Sequence, residues 1–405
     1  MSTSPLADIV SNQYERWVYP HPILDMRHWL VDNWQWFDPS HAHNMFWPNG
    51  AYKPDLDMLV AGCGTNQAAV LAYTNPQAKI VAIDVSQASL NHHQYLKEKY
   101  NLKNLALHLL PIEEVSQLDC DFDLIISTGV LHHLADPNKG IQALSTCLRR
   151  DGVIALMLYA KYGRIGVEIL QSVVRDLELP QDEASILMVR DMLSTLAADH
   201  PIKSYMNIAP DLQFDAGLVD TFLHGRDRSY SIPECIDLVH SADLEFQDLF
   251  LKSPYYPPPN MASAFDTAVT NLPERQQWSV MERINFRNAC HFFTACRKDR
   301  PKESYAIDFS SEGVFGFVPS LRYRCALDGD QLSRYDWNIT LNHVEASIMK
   351  NVNGQRTIAE IIEKISTPAV YGSLQHNELK ALCKVLFQRL WQLDFLAIGL
   401  KNSNE

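Results

Sequence analysis

Between Asp57 and Tyr159 the chain alternates short, mostly apolar runs with amphipathic ones, and few folds accept that pattern. "DMLVAG", "KIVAIDVS", "LALHLLP" and "FDLIISTG" read as strands, and a turn at Arg150-Asp151-Gly152 leads into a fifth, "VIALMLYA". The runs between them, "QAAVLAYTN", "QASLNHHQYLKEKY" and "GIQALSTCLRR", carry helical spacing. Strands without a polar face are buried on both sides, and a strand–helix–strand repeat closes with right-handed crossovers. A doubly wound, mostly parallel α/β sheet is therefore predicted.

The flanks differ in character. Residues 1–53 hold five of the eight tryptophans (Trp17, Trp29, Trp34, Trp36, Trp47) and are broken by prolines, so short helices and loops are expected. Such a segment cannot bury its rings alone and is read as an aromatic cap or lid on the next domain. Residues 163 to about 225 read as a helical insertion. "SIPECIDLVHSADLEFQDLFL" then gives a helix and a strand, and "HFFTACRK" a late strand. Residues 54–300 thus form one α/β domain. Past "KDRPKES", residues 305–405 read as a separate, smaller α+β domain. It has a β-rich start, a helix–turn–helix and a final helix over "ELKALCKVLFQRLWQLDFLAIGL".

Composition excludes several roles. The formal net charge is −13 and no dense Lys/Arg run exists, so nucleic acid is not favoured as a partner. No apolar run approaches the roughly 18 residues of a membrane span, and the start lacks the blocks of a signal peptide. The eight cysteines are scattered without a CxxC pair, so no metal site is expected and a reduced cytoplasm is the expected location.

The first strand-to-helix turn, "LVAGCGTNQA", carries Gly62, Cys63 and Gly64 at the carboxyl end of a strand, where open parallel sheets bind ligands. Asp84 ends the next strand 84 − 64 = 20 residues later, the place from which a carboxylate accepts ribose hydroxyls. A dinucleotide fingerprint wants a third glycine where Gln67 stands, beside a pyrophosphate, and no Walker lysine is present. An adenosine ligand without a pyrophosphate satisfies both observations.

With these residues in place the chain resembles the class I S-adenosylmethionine-dependent methyltransferases. "LVAGCGTNQA" is similar to their first motif and "VAIDVSQASL" to their ribose motif. "LHLLPIEEV" is similar to the loop at the adenine, "FDLIISTGVLHHLADP" to the fourth-strand motif and "LRRDGVIALMLYA" to the fifth strand. The resemblance implies a seven-stranded Rossmann-like sheet and S-adenosylmethionine as cofactor, with S-adenosylhomocysteine as product and no metal. It assigns Gly62, Cys63 and Gly64 to the methionine end and Asp84 to the ribose. Val85, Pro111 and Ile112 flank the adenine, and Thr128 and Gly129 lie below the sulfonium. The chain departs from the pattern at Ala61, where an acidic residue is frequent, and at Asn66, where a glycine is. Asn66 and Gln67 are the candidates to replace the missing contacts.

Methyl transfer is an in-line displacement in which alignment and desolvation do most of what the protein contributes, so a general base is optional. His132 and Tyr159 are the catalytic candidates. His132 and His133 are adjacent and point about 100° apart on a helix, which disfavours a shared ion. Three clusters are candidates for the acceptor wall: Tyr14, Arg16 and Tyr19; Tyr162 and Arg164; and His224, Arg226, Arg228 and Tyr230. The C-terminal domain resembles winged-helix-like modules behind some bacterial methyltransferases and suits docking of a protein, so a protein side chain is the expected acceptor. The alternatives are a small-molecule acceptor, with the C-terminal domain serving homodimerisation, and a binding module without catalysis.

Overall fold

The computed structural model describes residues 5–258, 263–365 and 376–400. Residues 1–37, 54–249 and 278–299 form one compact unit around a seven-stranded sheet. Its strands are β1 (Asp57–Ala61), β2 (Lys79–Asp84), β3 (Leu105–Leu109), β4 (Phe122–Thr128), β5 (Leu148–Tyr159), β6 (Leu244–Leu249) and β7 (Cys290–Arg297). They lie in the order β3-β2-β1-β4-β5-β7-β6. The first five are parallel, and β7 runs antiparallel between β5 and β6. Leu59, Val60, Leu124, Ile125, Ile154 and Ala155 have no exposed surface, as a sheet covered on both faces requires. After β3 the chain returns to the other side of β1, so the switch point lies between β1 and β4.

The turn expected at Arg150-Asp151-Gly152 is instead an irregularity within one strand. Phe122 faces Leu148 while Leu124 faces Val153, so β5 carries extra residues there as a bulge. The insertion is helical over Ile165–Asp176, Glu183–Thr195, Ile202–Met206 and Asp215–Phe222. Its apolar faces share a core that includes Val167, Leu170, Val189, Ile202 and Phe222.

The second unit takes residues 38–53, 250–277 and 300–405. This corrects the boundaries read from the sequence: the cap ends at Phe37 rather than residue 53, and residues 250–277 leave the α/β unit. The physical reason is packing across long sequence separations. Phe46 stacks on Phe250, and the Arg300 guanidinium donates to the Phe46 carbonyl. The unit is α+β, with β8 (Phe317–Leu321), a small antiparallel sheet of β9 (Ala326–Asp328), β10 (Gln331–Ser333) and β11 (Asn338–Thr340), and β12 (Leu396–Leu400). Helices span His343–Met349, Ile358–Ile365 and His376–Gln392. The expected final helix therefore stops at Gln392. Asp394 turns the chain at φ +65°, and "LAIGL" pairs with β8 instead.

Candidate functional site

The turn after β1 is held by backbone bonds to β2. Gly62 and Cys63 donate to the Ile83 carbonyl at 2.9 and 3.1 Å, and Gly64 donates to Asp84 Oδ2 at 2.8 Å. Both glycines adopt left-handed backbone, and protein surrounds the missing side chains. A Cβ at Gly62 would lie 2.4 Å from Val130, and one at Gly64 would lie 2.9 Å from Pro20. Asp84 also accepts from the Ser86 amide, and Ser86 caps the helix Gln87–Tyr100. Burial pushes the Asp84 carboxyl up to about 6, against the lowering effect of the Ser86 and Gly64 amides.

The other cofactor candidates gather at the same strand ends. Pro111 and Ile112 are buried at the start of a short helical turn over Ile112–Leu118. Next to them, Glu113 Oε2 is buried without a hydrogen-bond partner. Val85 follows Asp84, and Thr128 ends β4 with Gly129 at φ +74°. Gln67 Nε2 donates to Thr128 Oγ1 at 3.0 Å and to Gln35 Oε1 at 3.2 Å, tying the first turn to β4. Asn66 is spent differently from the expectation. Its Oδ1 accepts from the Ile23 amide and its Nδ2 donates to the His21 carbonyl, so its side chain clasps the N-terminal segment instead of facing a ligand.

That segment crosses the site. Thr65 Oγ1 donates to the Pro20 carbonyl and Ser86 Oγ to the Tyr14 carbonyl, while the Glu15 carboxylate accepts from the Gln87 and Ala88 amides. Its side chains reach a polar cluster at the ends of β4 and β5. Asp220 accepts from the Tyr14 hydroxyl at 2.8 Å and from the Tyr159 hydroxyl at 3.1 Å. Tyr19 donates to Asp211 at 2.8 Å. Arg164, only 1% exposed, donates to Asp227 at 2.9 Å and to the Tyr205 hydroxyl at 2.8 Å. Its guanidinium lies 3.6 Å over the Tyr159 ring, whose other face must take His132, stacked at 3.9 Å.

Three imidazoles complete the cluster. Burial holds His132 and His224 well below the usual histidine range, so both are neutral. His224 Nδ1 accepts from the Arg226 amide, so its Nε2 carries the proton and donates towards Tyr14 Oη at 3.3 Å. His133 Nδ1 meets the Arg226 carbonyl at 3.0 Å and therefore donates, which leaves Nε2 as the ring's remaining nitrogen. That atom is buried and has no partner. His132, His133 and Asp227, or His133, Asp220 and His224, lie close enough to suggest a metal. The rings argue against one. An ion bound at about 2.0–2.1 Å by two imidazoles holds their centroids roughly 5 Å apart, whereas the pairs stand at 4.2 and 3.9 Å. The Arg164 cation beside them opposes a second cation as well.

Of the expected acceptor residues, Tyr14, Tyr19, Arg164 and His224 meet here with His132 and Tyr159. Arg16 does not: it is exposed and paired with Glu183. Arg226 pairs with Asp8, Tyr162 is half-buried outside the cluster, and Arg228 is exposed. Tyr230 is buried, and its backbone bridges Ala160 and Lys161. Asp211, Asp220, Asp227 and Tyr205 are cluster members that the sequence did not single out. Asp211, Asp220 and Tyr205 sit in the helical insertion and Asp227 in the loop just after it, and no local pattern marks them.

A methyltransferase-domain family profile matches residues 53–183. An uncharacterized protein of Synechococcus sp. is 26% identical over 82% of this chain and 83% of its own length. The malonyl-[acyl-carrier protein] O-methyltransferase of Acetivibrio thermocellus is 32% identical over 26% of this chain, which spans 37% of that enzyme. PKMT2 from Rickettsia typhi shares the fold, with a TM-score of 0.65 and 13% identity over 94% of this chain and 78% of its own. PKMT2 has also been solved in complex with AdoHcy, and in that form has a TM-score of 0.61 and 13% identity over 90% of this chain and 75% of its own. The fold, the motif order and the family match define a class I methyltransferase. Residues 53–183 carry an S-adenosylmethionine-dependent methyltransferase domain, and S-adenosylmethionine is its cofactor.

Proposed function

We propose that this enzyme transfers a methyl group from S-adenosylmethionine to a protein side chain. In this reading the helix start at Gln67, which Asn66 does not cap through its side chain, receives the methionine carboxylate. Asp84 accepts the ribose hydroxyls, Val85, Pro111 and Ile112 flank the adenine, and the unpaired Glu113 oxygen accepts from its amino group. Thr128 and Gly129 support the sulfonium. The protein-acceptor reading is carried by the second unit, which has its own core beyond the 53–183 match and suits docking a macromolecule. The relative acting on malonyl-[acyl-carrier protein] agrees with an acceptor carried on protein. Eight free cysteines, with no helix among the described residues long and apolar enough to cross a membrane, support a cytoplasmic enzyme.

A small-molecule acceptor is the second reading. Its support is the closure of the acceptor cluster by the N-terminal segment, through Tyr14 and Tyr19. Incubating the enzyme with methyl-labelled cofactor and an extract of its host cells separates the two. Label in protein is expected; label confined to metabolites overturns the protein reading.

A further inference from the structure

The acceptor cluster holds more negative than positive charge. Arg164 is its one guanidinium, and it faces Asp227 and, through Tyr159, Asp220, with Asp211 close by on Tyr19. Arg226 is engaged by Asp8. The imidazoles of His132 and His224 are neutral and supply no cation. Asp220 itself is 2% exposed, and its two oxygens are served only by tyrosine hydroxyls. Burial pushes the Asp220 carboxyl above the usual carboxylate range, so it is drawn towards its neutral acid until a cation arrives beside it. A carboxylate ligand would make this worse, whereas an ammonium would correct it and find aromatic faces around it. Tyr14, Tyr19 and His224 are half-buried and form the edge of the cluster nearest solvent.

We propose that Asp220, Tyr14 and Tyr159 receive a primary amine as the methyl acceptor, and that His133 Nε2 takes the proton that frees its lone pair. The inference rests on the methyltransferase reading, but not on whether the amine is carried by a protein. The amine arrives as R–NH3+, which satisfies Asp220. One proton passes to His133 Nε2, the buried ring nitrogen with no other partner. The freed nitrogen pair forms the N–CH3 bond as the S–CH3 bond breaks, its electrons remaining on sulfur. The products are R–NH2+–CH3 and S-adenosylhomocysteine, and His133 returns its proton to solvent. His224 and Arg226 hold the His133 ring in register, by stacking at 3.9 Å and by the carbonyl bond to Nδ1.

The test uses the full chain, methyl-labelled cofactor and host extract, followed by alkaline treatment of the product. N-methyl label survives alkali, and an ester releases it as methanol. Base-stable label recovered as a methylated amine is expected, with n-butylamine but not butyrate competing. Base-labile label, or competition by butyrate alone, overturns the amine. Base-stable label in metabolites keeps the amine while sinking the protein acceptor; base-labile label in protein does the reverse. Asp220→Asn is expected to lower transfer about 100-fold, and His133→Ala about 100-fold or more. Calorimetry with S-adenosylmethionine serves as the folding control, with affinity held within about threefold. Full transfer by either variant overturns its assigned role, and Tyr14→Phe, a smaller change, gives an independent reading of the Asp220 contact.

Discussion

The ribose contact proposed for Asp84 opposes its burial in the free protein. Its burial favours the protonated acid, while the ribose hydroxyls assigned to it need the carboxylate. With the folded value raised to about 6 from 3.8, ionising this group in the unliganded protein costs about 3 kcal/mol of stability. The sign follows: stability from Asp84 is full below about 4 and is lost as pH rises through 6, whereas ligand affinity is lost as pH falls through 6. Its neighbours do not interfere, since burial puts the Cys63 thiol far above and holds His93 at about 4. S-adenosylmethionine affinity is thus expected to weaken about tenfold between pH 7.5 and pH 5. Calorimetry across that range checks it; a flat profile, or the same slope in Asp84→Asn, removes Asp84 from the ribose. Asp84 was legible in the sequence because its 20-residue spacing from Gly64 is local to one β-α-β unit. Asn66 was not, because its partners lie 43 and 45 residues away in the N-terminal segment.

At the scale of elements, the segment from Asp8 to Ile23 is a strap fastened at both sites. Thr65 and Asn66 fasten it to the glycine turn, Glu15 and Ser86 to the helix after Asp84, and Tyr14 and Arg226 to the acceptor cluster. Asn66→Ala removes a bond to the buried Ile23 amide, a loss of roughly 1–3 kcal/mol, together with a part-buried bond to the His21 carbonyl. Faster amide exchange is expected at residues 19–24, with β1 and β4 unchanged; equal protection in the variant would show the strap held by other bonds. The same scale shows why some elements were readable and others were not. The first five strands carry their own periodicity and were recovered in order. The helix Ile358–Ile365 was also legible, since its buried isoleucines at 358, 361, 362 and 365 fall on one face. The strand after Gln392 was hidden, because "LDFLAIGL" continues an apolar pattern that helix and strand share. Only its pairing with β8, some 75 residues earlier, decides between them.

The whole molecule combines a cofactor unit with a second unit organised by one buried charge. Asp394 is 3% exposed and accepts from Arg322 at 2.5 Å, from Arg334 at 3.4 Å, and from the Lys252 and Ser253 amides. It thereby joins β8, β10, β12 and the chain leaving β6, which is why residues 250–277 belong with the C-terminal elements. No sequence window contains this contact, whose partners stand 60 to 142 positions away. Removing one member of a buried ionic group leaves the others uncompensated, at about 3–5 kcal/mol. For a unit of this size each kcal/mol moves the midpoint by roughly 2–4 °C, so Asp394→Ala is expected to lower the thermal transition of the second unit by about 10 °C. Every residue assigned to the cofactor lies in the first unit. S-adenosylmethionine affinity at 20 °C should therefore stay within about twofold of the parent. Differential scanning calorimetry and a binding titration on the same variant test both halves. If affinity fell together with the midpoint, the two units would unfold as one cooperative body, and the second unit would act on the cofactor site rather than on the acceptor alone.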